Sequence, residues 1–296
     1  MNSRLHSTQN ARQLLLEDIP VTERRVELAG VSTAVLEGGS GPPVVLLHGP
    51  VGHAGHWLRV LPALAESHRV VAPDLPGQGA SELTGDALDA QGVLDWLEDL
   101  IGDACPAPPA LVGFTLGGAI AARFAAARGD MLTQLVLVDM LGLTRFAPPP
   151  EFGQAVHTFL AQPSEETHEE LWRYCASDLE SLREQMGQRW ELFRAYNLER
   201  ARTPSVRAAL DALMEQFAPP IEPEVLARIT VPTTLVWGRQ DLATPVGVAE
   251  AASKRYGWPL EVIERAGDEP PIEQPEAFLR VLNAALRPAS LAEVRP

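Results

Sequence analysis

The hydroxyl of Thr115 stands in the run Val112-Gly113-Phe114-Thr115-Leu116-Gly117-Gly118, and alanines at 119, 121 and 122 follow it. A side-chain hydroxyl can act as a nucleophile when a base is at hand. Carboxylates recur where short apolar runs end. Asp139 closes Gln134 to Asp139, and Asp241 follows Thr233 to Gly238. Asp268 lies in Ala266-Gly267-Asp268-Glu269-Pro270, beyond the run Leu260 to Glu264. A lone aspartate, with a reference pKa near ~3.9, is a weak base at neutral pH. Two carboxylates close together raise one pKa, which gives a better base or an acid that keeps its proton. Three of the seven histidines share one Gly-rich loop, His48-Gly49-Pro50-Val51-Gly52-His53-Ala54-Gly55-His56-Trp57. From that loop His53 or His56 can reach a substrate, whereas His6, His68, His157 and His168 have no supporting context. No ligand set surrounds His53 and His56, so no metal site is expected. No GxGxxG follows the first buried run and no Walker A motif occurs, so no cofactor is expected.

The elements that must position these groups alternate. Val44 to His48, Arg69 to Asp74, Ala110 to Phe114, Gln134 to Asp139, Thr233 to Gly238 and Leu260 to Glu264 are short, β-branched and bounded by turn residues, which predicts buried strands. Helix-length segments lie between them. One is Leu88 to Ile101, with Val93, Trp96, Leu97, Leu100 and Ile101 on one face. Another starts at Pro275 and turns Phe278, Leu282 and Leu286 inward. Strands alternating with helices imply a mostly parallel sheet flanked by helices, an α/β fold. Runs around Val26 and Val35 add an antiparallel edge. The alternation stops over 145–228, which is helical in pattern and flanked by Pro148, Pro149 and Pro150 and by Pro219, Pro220 and Pro223. That predicts an inserted helical subdomain with stiff boundaries. It carries a capping box in Thr167 and Glu170, and Trp172, Trp190 and Phe193, at helical spacing, are core residues or line a pocket. The domain plan is an extension over 1–22, a core over 23–144 and 229–290, and the insertion between the core segments.

The 296 residues carry a net charge of -15, with 46% apolar and 21% charged residues. So acidic a chain repels phosphate backbones, which argues against nucleic acid as a partner. Cys105 and Cys175 form no disulfide framework. No apolar run approaches a membrane span, and the start lacks the apolar core of a signal peptide. The expectation is a cytoplasmic protein, monomer or homodimer, with a small molecule as its partner.

The order and spacing of five segments, from His48-Gly49-Pro50 through Ala72-Pro73-Asp74-Leu75-Pro76-Gly77-Gln78-Gly79, Gly113 to Gly117 and Trp237-Gly238-Arg239-Gln240-Asp241 to Gly267-Asp268-Glu269-Pro270, resemble the α/β-hydrolase superfamily, especially its capped small-molecule hydrolases. The resemblance runs from about residue 24 to about residue 287. It implies the α/β-hydrolase fold with residues 145–228 as a helical cap over an apolar pocket. It places Thr115 where the family's nucleophilic serine sits on a strained strand-to-helix turn, and Asp268 where the family has its histidine. Asp241 takes the acid position, with Asp139 as the alternative. It also makes His48 a brace of its loop and the Leu116 N–H an oxyanion donor.

Three positions depart from the pattern. Thr115 adds a methyl to a crowded turn and a stiff χ1, Asp268 replaces the usual base, and Pro50 has no N–H where a second oxyanion donor is usual. Loss of one such donor costs ~3 kcal/mol of transition-state stabilisation, and loss of triad members lowers kcat by ~10⁴ to 10⁶. The first reading is a weak or non-hydrolytic enzyme acting on a small, largely apolar carbonyl compound or ester. In it Thr115 is a nucleophile or hydrogen-bond donor, and Asp268, coupled to Asp241, moves a proton. The second reading is a catalytically silent member of the fold that binds a small molecule or a partner.

Overall fold

The computed structural model describes residues 8–85 and 88–287. His6 and the last residues of the 229–290 core segment therefore lie outside the described residues. The strands are β1 (Thr22–Leu28), β2 (Val31–Gly38), β3 (Pro43–Leu47), β4 (Arg69–Pro73), β5 (Glu82–Leu83), β6 (Ala110–Phe114), β7 (Gln134–Val138), β8 (Thr233–Gly238) and β9 (Leu260–Ile263). They form one sheet in the order β1-β2-β4-β3-β6-β7-β8-β9, with β5 beside β2. From β4 through β3 to β9 every pairing is parallel. β1, β2 and β5 supply the antiparallel edge expected from the runs around Val26 and Val35.

Because strand side chains alternate, the sheet builds a core on each face. Val45, Leu47, Leu111 and Leu137 pack under helices Ala90–Ala104 and Leu116–Arg128. Val44, Leu46, Val112 and Val138 pack under Leu61–Ala65 and Pro275–Ala285, where Phe278 and Leu282 are fully buried. Four strands end one residue sooner than the apolar runs predict, leaving His48, Asp74, Asp139 and Glu264 just beyond them. These polar residues are the first out of the ladder, which is what frees their side chains for other work. The helix expected over Leu88 to Ile101 starts at Ala90, after the cap Asp89, whose side chain accepts from the Gly92 N–H, and continues to Ala104.

Six helices fill the chain between β7 and β8: Pro150–Ala161, Glu165–Cys175, Leu179–Met186, Gln188–Arg202, Pro204–Phe217 and Pro223–Leu226. Three of them begin on proline, whose missing N–H costs nothing at a first helical position. The capping box lies three residues earlier than expected. Ser164 is the N-cap and exchanges hydrogen bonds with Thr167, which is the third helical residue rather than the cap. The segment before residue 22 is more than a polar extension. Its helix Thr8–Leu15 packs on Gln188–Arg202, and the buried Arg12 side chain meets Glu23 (2.6 Å), Asp74 (2.9 Å) and the Tyr196 hydroxyl (3.2 Å). No helix among the described residues is long and apolar enough to cross a membrane.

Candidate active site

The turn at Thr115 is built from close backbone packing. A Cβ on Gly113 would run into the Gly117 carbonyl, and one on Gly118 would lie 2.6 Å from the Met140 Cβ. A Cβ on Gly117 would strike the carbonyls of Leu47 and His48. Only glycine lets β6, its following helix and β3 meet this closely. Thr115 itself has φ 45 and ψ -105, a strained backbone for a β-branched residue. Its N–H donates to the Val138 carbonyl (2.9 Å), and its own carbonyl accepts from Leu141 N–H (3.1 Å). Val51, Asp139 and Arg265 also have positive φ, and each, like Thr115, follows the carboxyl end of a parallel strand. Strain is thus concentrated at the end of the sheet where α/β folds place their ligands.

The Thr115 hydroxyl is buried without a hydrogen-bond partner. It lies so close to Gly49 that a Cβ there would collide with it. It faces a cavity of about 170 Å³. Pro50, His56, Thr115, Trp172 and Asp268 line this cavity, together with apolar residues of the insertion such as Phe152, Phe159 and Leu171. Phe146, one of two exposed large apolar side chains among the described residues, also lines it. Leu116 is the first residue of its helix, where N–H groups have no intrahelical acceptor; its side chain points into the core.

Two of the three aromatic candidates stand behind the wall. Trp190 and Phe193 do not line the cavity. They pack edge-to-face on Trp172, at ring separations of 5.1 and 5.3 Å, and hold it in place. His53 is also withdrawn from the cavity. Its Nδ1 accepts from the Gly55 N–H (3.0 Å), so its Nε2–H donates to Asn197 Oδ1 (3.1 Å). The Asn197 amide in turn donates to His168 Nε2 (3.2 Å). Burial lowers the pKa of both histidines, that of His168 to about 3, so the bridge joins two neutral rings. His48 braces its loop: it donates from Nδ1 to the Gly49 carbonyl (2.8 Å) and accepts the Leu75 N–H at Nε2 (2.9 Å). Its pKa is lowered to about 4 by burial.

The acids divide into two groups. Asp139 and Asp241 sit behind the site, and neither lines the cavity. Asp139 Oδ1 accepts the Gly238 N–H (2.9 Å). Asp241 Oδ1 accepts two, from Ala243 (2.7 Å) and Thr244 (2.8 Å). The remaining oxygens, Asp139 Oδ2 and Asp241 Oδ2, receive no donor from elsewhere. A proton held between the two carboxyls satisfies both, and burial followed by the Asp241 charge drives the Asp139 pKa well up. Asp241 is pushed to about 7, chiefly by burial.

The second group belongs to the loop after β9. The Asp268 N–H donates to the Cys175 carbonyl (3.0 Å). Asp268 Oδ1 has no partner. Burial, then the charges of Asp241, Glu269 and Glu273, push the Asp268 pKa well above the usual carboxylate range. Glu273 accepts the N–H groups of Gly267 (2.7 Å) and Ser177 (2.6 Å), and burial raises its pKa to about 7. These bonds pin the loop of Asp268 to the end of helix Glu165–Cys175. Glu269 lines the cavity with its carboxylate 3.5 Å from His56 Nδ1. Among the described residues no cluster of acids, histidines and cysteines is arranged to hold a metal ion.

Thr115, Asp268, Pro50, His56 and Trp172 are therefore brought together around one cavity, while Leu116, Asp241, His53, Trp190 and Phe193 are not on its wall. Sequence reasoning missed His168, Asn197, Cys175, Glu269 and Glu273. Only Glu269 carried a local signal, as the neighbour of Asp268 in a recognised segment; the others are joined by contacts between distant helices.

Comparison with known proteins gives a consistent set of likenesses. Residues 44–281 match the model of the alpha/beta hydrolase family. A pimeloyl-[acyl-carrier protein] methyl ester esterase of Aeromonas hydrophila is 29% identical over 259 residues, covering 86% of this chain and 98% of the esterase. A 2-hydroxy-6-oxo-6-(2'-aminophenyl)hexa-2,4-dienoic acid hydrolase of Metapseudomonas resinovorans is 27% identical over 270 residues, 86% of this chain and 88% of that protein. The structure of 2-hydroxy-6-oxo-6-phenylhexa-2,4-dienoate hydrolase from Rhodococcus sp. strain RHA1 superposes with a TM-score of 0.78 and 26% identity, covering 90% of this chain and 99% of that one.

Proposed function

The chain belongs to the alpha/beta hydrolase family, and on that premise we propose that it is an enzyme of altered chemistry acting on a small, largely apolar carbonyl compound or ester. The observation that carries this reading is the pair of unpartnered buried polar atoms, Thr115 Oγ1 and Asp268 Oδ1, on residues that line one mainly apolar cavity. Unsatisfied buried polar groups are costly and persist where function uses them. The cavity is small beside the ~300–1,000 Å³ usual for drug-sized ligands, which restricts the substrate, and the helical insertion acts as its cap. The named activities of the relatives, on a methyl ester and on a hexadienoic acid, are in keeping with a carbonyl substrate.

The roles follow from the protonation states. Burial, then the charges of Asp241, Glu269 and Glu273, raises the Asp268 pKa well above the usual carboxylate range, which favours the protonated form, so in this reading Asp268 is a hydrogen-bond donor rather than a base. Its O–H polarises the substrate carbonyl, and the Thr115 hydroxyl is the weak nucleophile; Leu116, which is not on the cavity wall, takes no part in this reading. Asp241 sets the field behind Asp268 rather than touching substrate. Pro50 removes one oxyanion donor, and the neutral Asp268 O–H supplies another.

The test is turnover of activated esters of graded chain length between about pH 6 and 9, comparing wild type with Thr115→Ala. Turnover abolished by the substitution supports the reading. Equal turnover in both proteins sinks the threonine nucleophile. Ligand-induced stabilisation of wild type without any turnover favours the silent, binding-only alternative.

A further inference from the structure

We propose that His56, oriented by Glu269, is the proton-transfer base of this cavity, so that the histidine missing from the loop after β9 is supplied from the loop after β3. The proposal rests on the enzymatic reading above and names its missing base.

His56 is fixed by its own loop before any substrate arrives. It sits on the single turn Ala54–Trp57, whose first residue is held by Ala54 N–H donating to Asp74 Oδ1 (2.6 Å). His53 caps that turn through the Gly55 N–H. The His56 ring packs against Phe193 (4.9 Å between centroids) and stands edge-on to His53 (5.0 Å, 86°). These contacts fix the plane of the ring and leave its two nitrogens without hydrogen-bond partners, although both are buried. His48, His53 and His168 all have a protein partner for at least one ring nitrogen. His56 alone among these four has none, and it lines the same cavity as Thr115 and Asp268.

The nearest candidate partner for Nδ1 is Glu269 Oε2, at 3.5 Å. A tightening of a few tenths of an ångström makes this the hydrogen bond that orients a catalytic histidine, and such bonds are commonly long without substrate. Glu269 follows Asp268 directly, and its N–H lies 3.4 Å from Glu273 Oε1. One short segment thus presents a neutral acid and a histidine partner to the same space. Among the described residues, the charged or titratable ones on the cavity wall are His56, His168, Cys175, Asp211, Asp268 and Glu269, with no lysine or arginine. Glu269 fixes the Nδ1–H tautomer and leaves the Nε2 lone pair for the cavity. In ester cleavage, Nε2 takes the proton lost by the attacking hydroxyl as the new C–O bond forms. It returns that proton to the leaving alcohol oxygen as the old C–O bond breaks, and in the second half Nε2 takes a proton from the water that attacks the acyl carbon and gives it back to the Thr115 oxygen as the acyl–threonine bond breaks. His56 is then a catalytic residue and Glu269 a positioning residue.

The experiment compares wild type, His56→Gln and Glu269→Gln on the ester panel, with Tm measured for each and ring ¹⁵N–¹H spectra recorded at about pH 8, where an unperturbed histidine is neutral. The expected result is a kcat loss of about 100-fold or more for His56→Gln with KM and Tm nearly unchanged, the usual scale for a lost general base. Glu269→Gln loses about 10-fold, and exogenous imidazole restores turnover to His56→Ala. The wild-type spectrum shows a protonated Nδ1 and a bare Nε2. Unchanged kcat in His56→Gln with an active wild type overturns this inference and leaves the threonine reading standing. A wild type inactive on the whole panel removes that reading and this one with it. A bare Nδ1, or a doubly protonated ring at that pH, overturns the assignment whatever the turnover.

Discussion

A threonine at φ 45 carries its β-branch into a turn that close packing at Gly49, Gly113, Gly117 and Gly118 makes tight. Its methyl restricts χ1 and crowds the hydroxyl against Gly49. Thr115→Ser removes that restriction and keeps the hydroxyl, so kcat on esters is expected to rise by about 10-fold, the value of roughly 1.4 kcal/mol in the barrier. A fall in kcat would show that the methyl positions the hydroxyl rather than impedes it. At this scale the sequence was partly legible. Thr115, Asp268 and Pro50, which motif order singles out, all line the cavity. The roles of Trp190 and Phe193 were not legible, because helical spacing shows that side chains share a face without showing which of them reaches the open space. The Glu273 latch was invisible for a related reason: it joins Gly267 to Ser177, which belongs to a distant helical segment.

At the scale of elements, the helices between β7 and β8 are tied to the sheet by a few buried polar contacts, and so is the N-terminal helix Thr8–Leu15. Arg12 is the tie for that helix, between Asp74, Glu23 and Tyr196. Asp74 also accepts the N–H groups of Ala54 and Ala80 (2.6 Å each), which shape the loops on either side of the site. Arg12→Ala leaves a buried carboxylate without its counter-charge and is expected to cost about 3 kcal/mol. Urea unfolding checks this; a loss below about 1 kcal/mol would mean that the two N–H donors suffice for Asp74. The strands, their parallel order and the helical insertion could be read from periodicity and prolines. The packing of the first helix on Gln188–Arg202 could not, since a short polar segment with one arginine has no local feature that marks it as buried.

For the molecule as a whole, the buried acids set the response to pH. The folded-state pKa values of Asp139 and Asp268 are raised well up, and those of Asp241 and Glu273 are raised to about 7. A carboxyl whose pKa is higher in the folded state stabilises the fold fully below its unfolded value, near ~4. That contribution is lost as pH rises through the folded value, at up to about 1.4 kcal/mol per pH unit for each group. The four acids therefore favour a higher Tm at about pH 5 than at about pH 8, and the buried neutral His48, His53 and His168, whose pKa values are lowered, offset part of this below about pH 6.5. Asp241→Asn keeps the acceptor for Ala243 and Thr244 and offers an N–H to Asp139. It should raise Tm at the alkaline end and flatten the profile. A Tm at the alkaline end left unchanged by Asp241→Asn would contradict the shared proton between Asp139 and Asp241.

The most direct measurement of the central claim, that Asp268 works as a neutral hydrogen-bond donor beside Thr115, is kcat for Asp268→Asn against Asp268→Ala on the same ester. Asparagine keeps a donor at that position and alanine does not. The account predicts that Asp268→Asn stays within about 10-fold of wild type, while Asp268→Ala loses about 100-fold or more, the usual effect of deleting an oxyanion donor. Equal loss in both variants would contradict it, because a carboxyl group that transfers a proton, as base or as acid, is removed as completely by asparagine as by alanine.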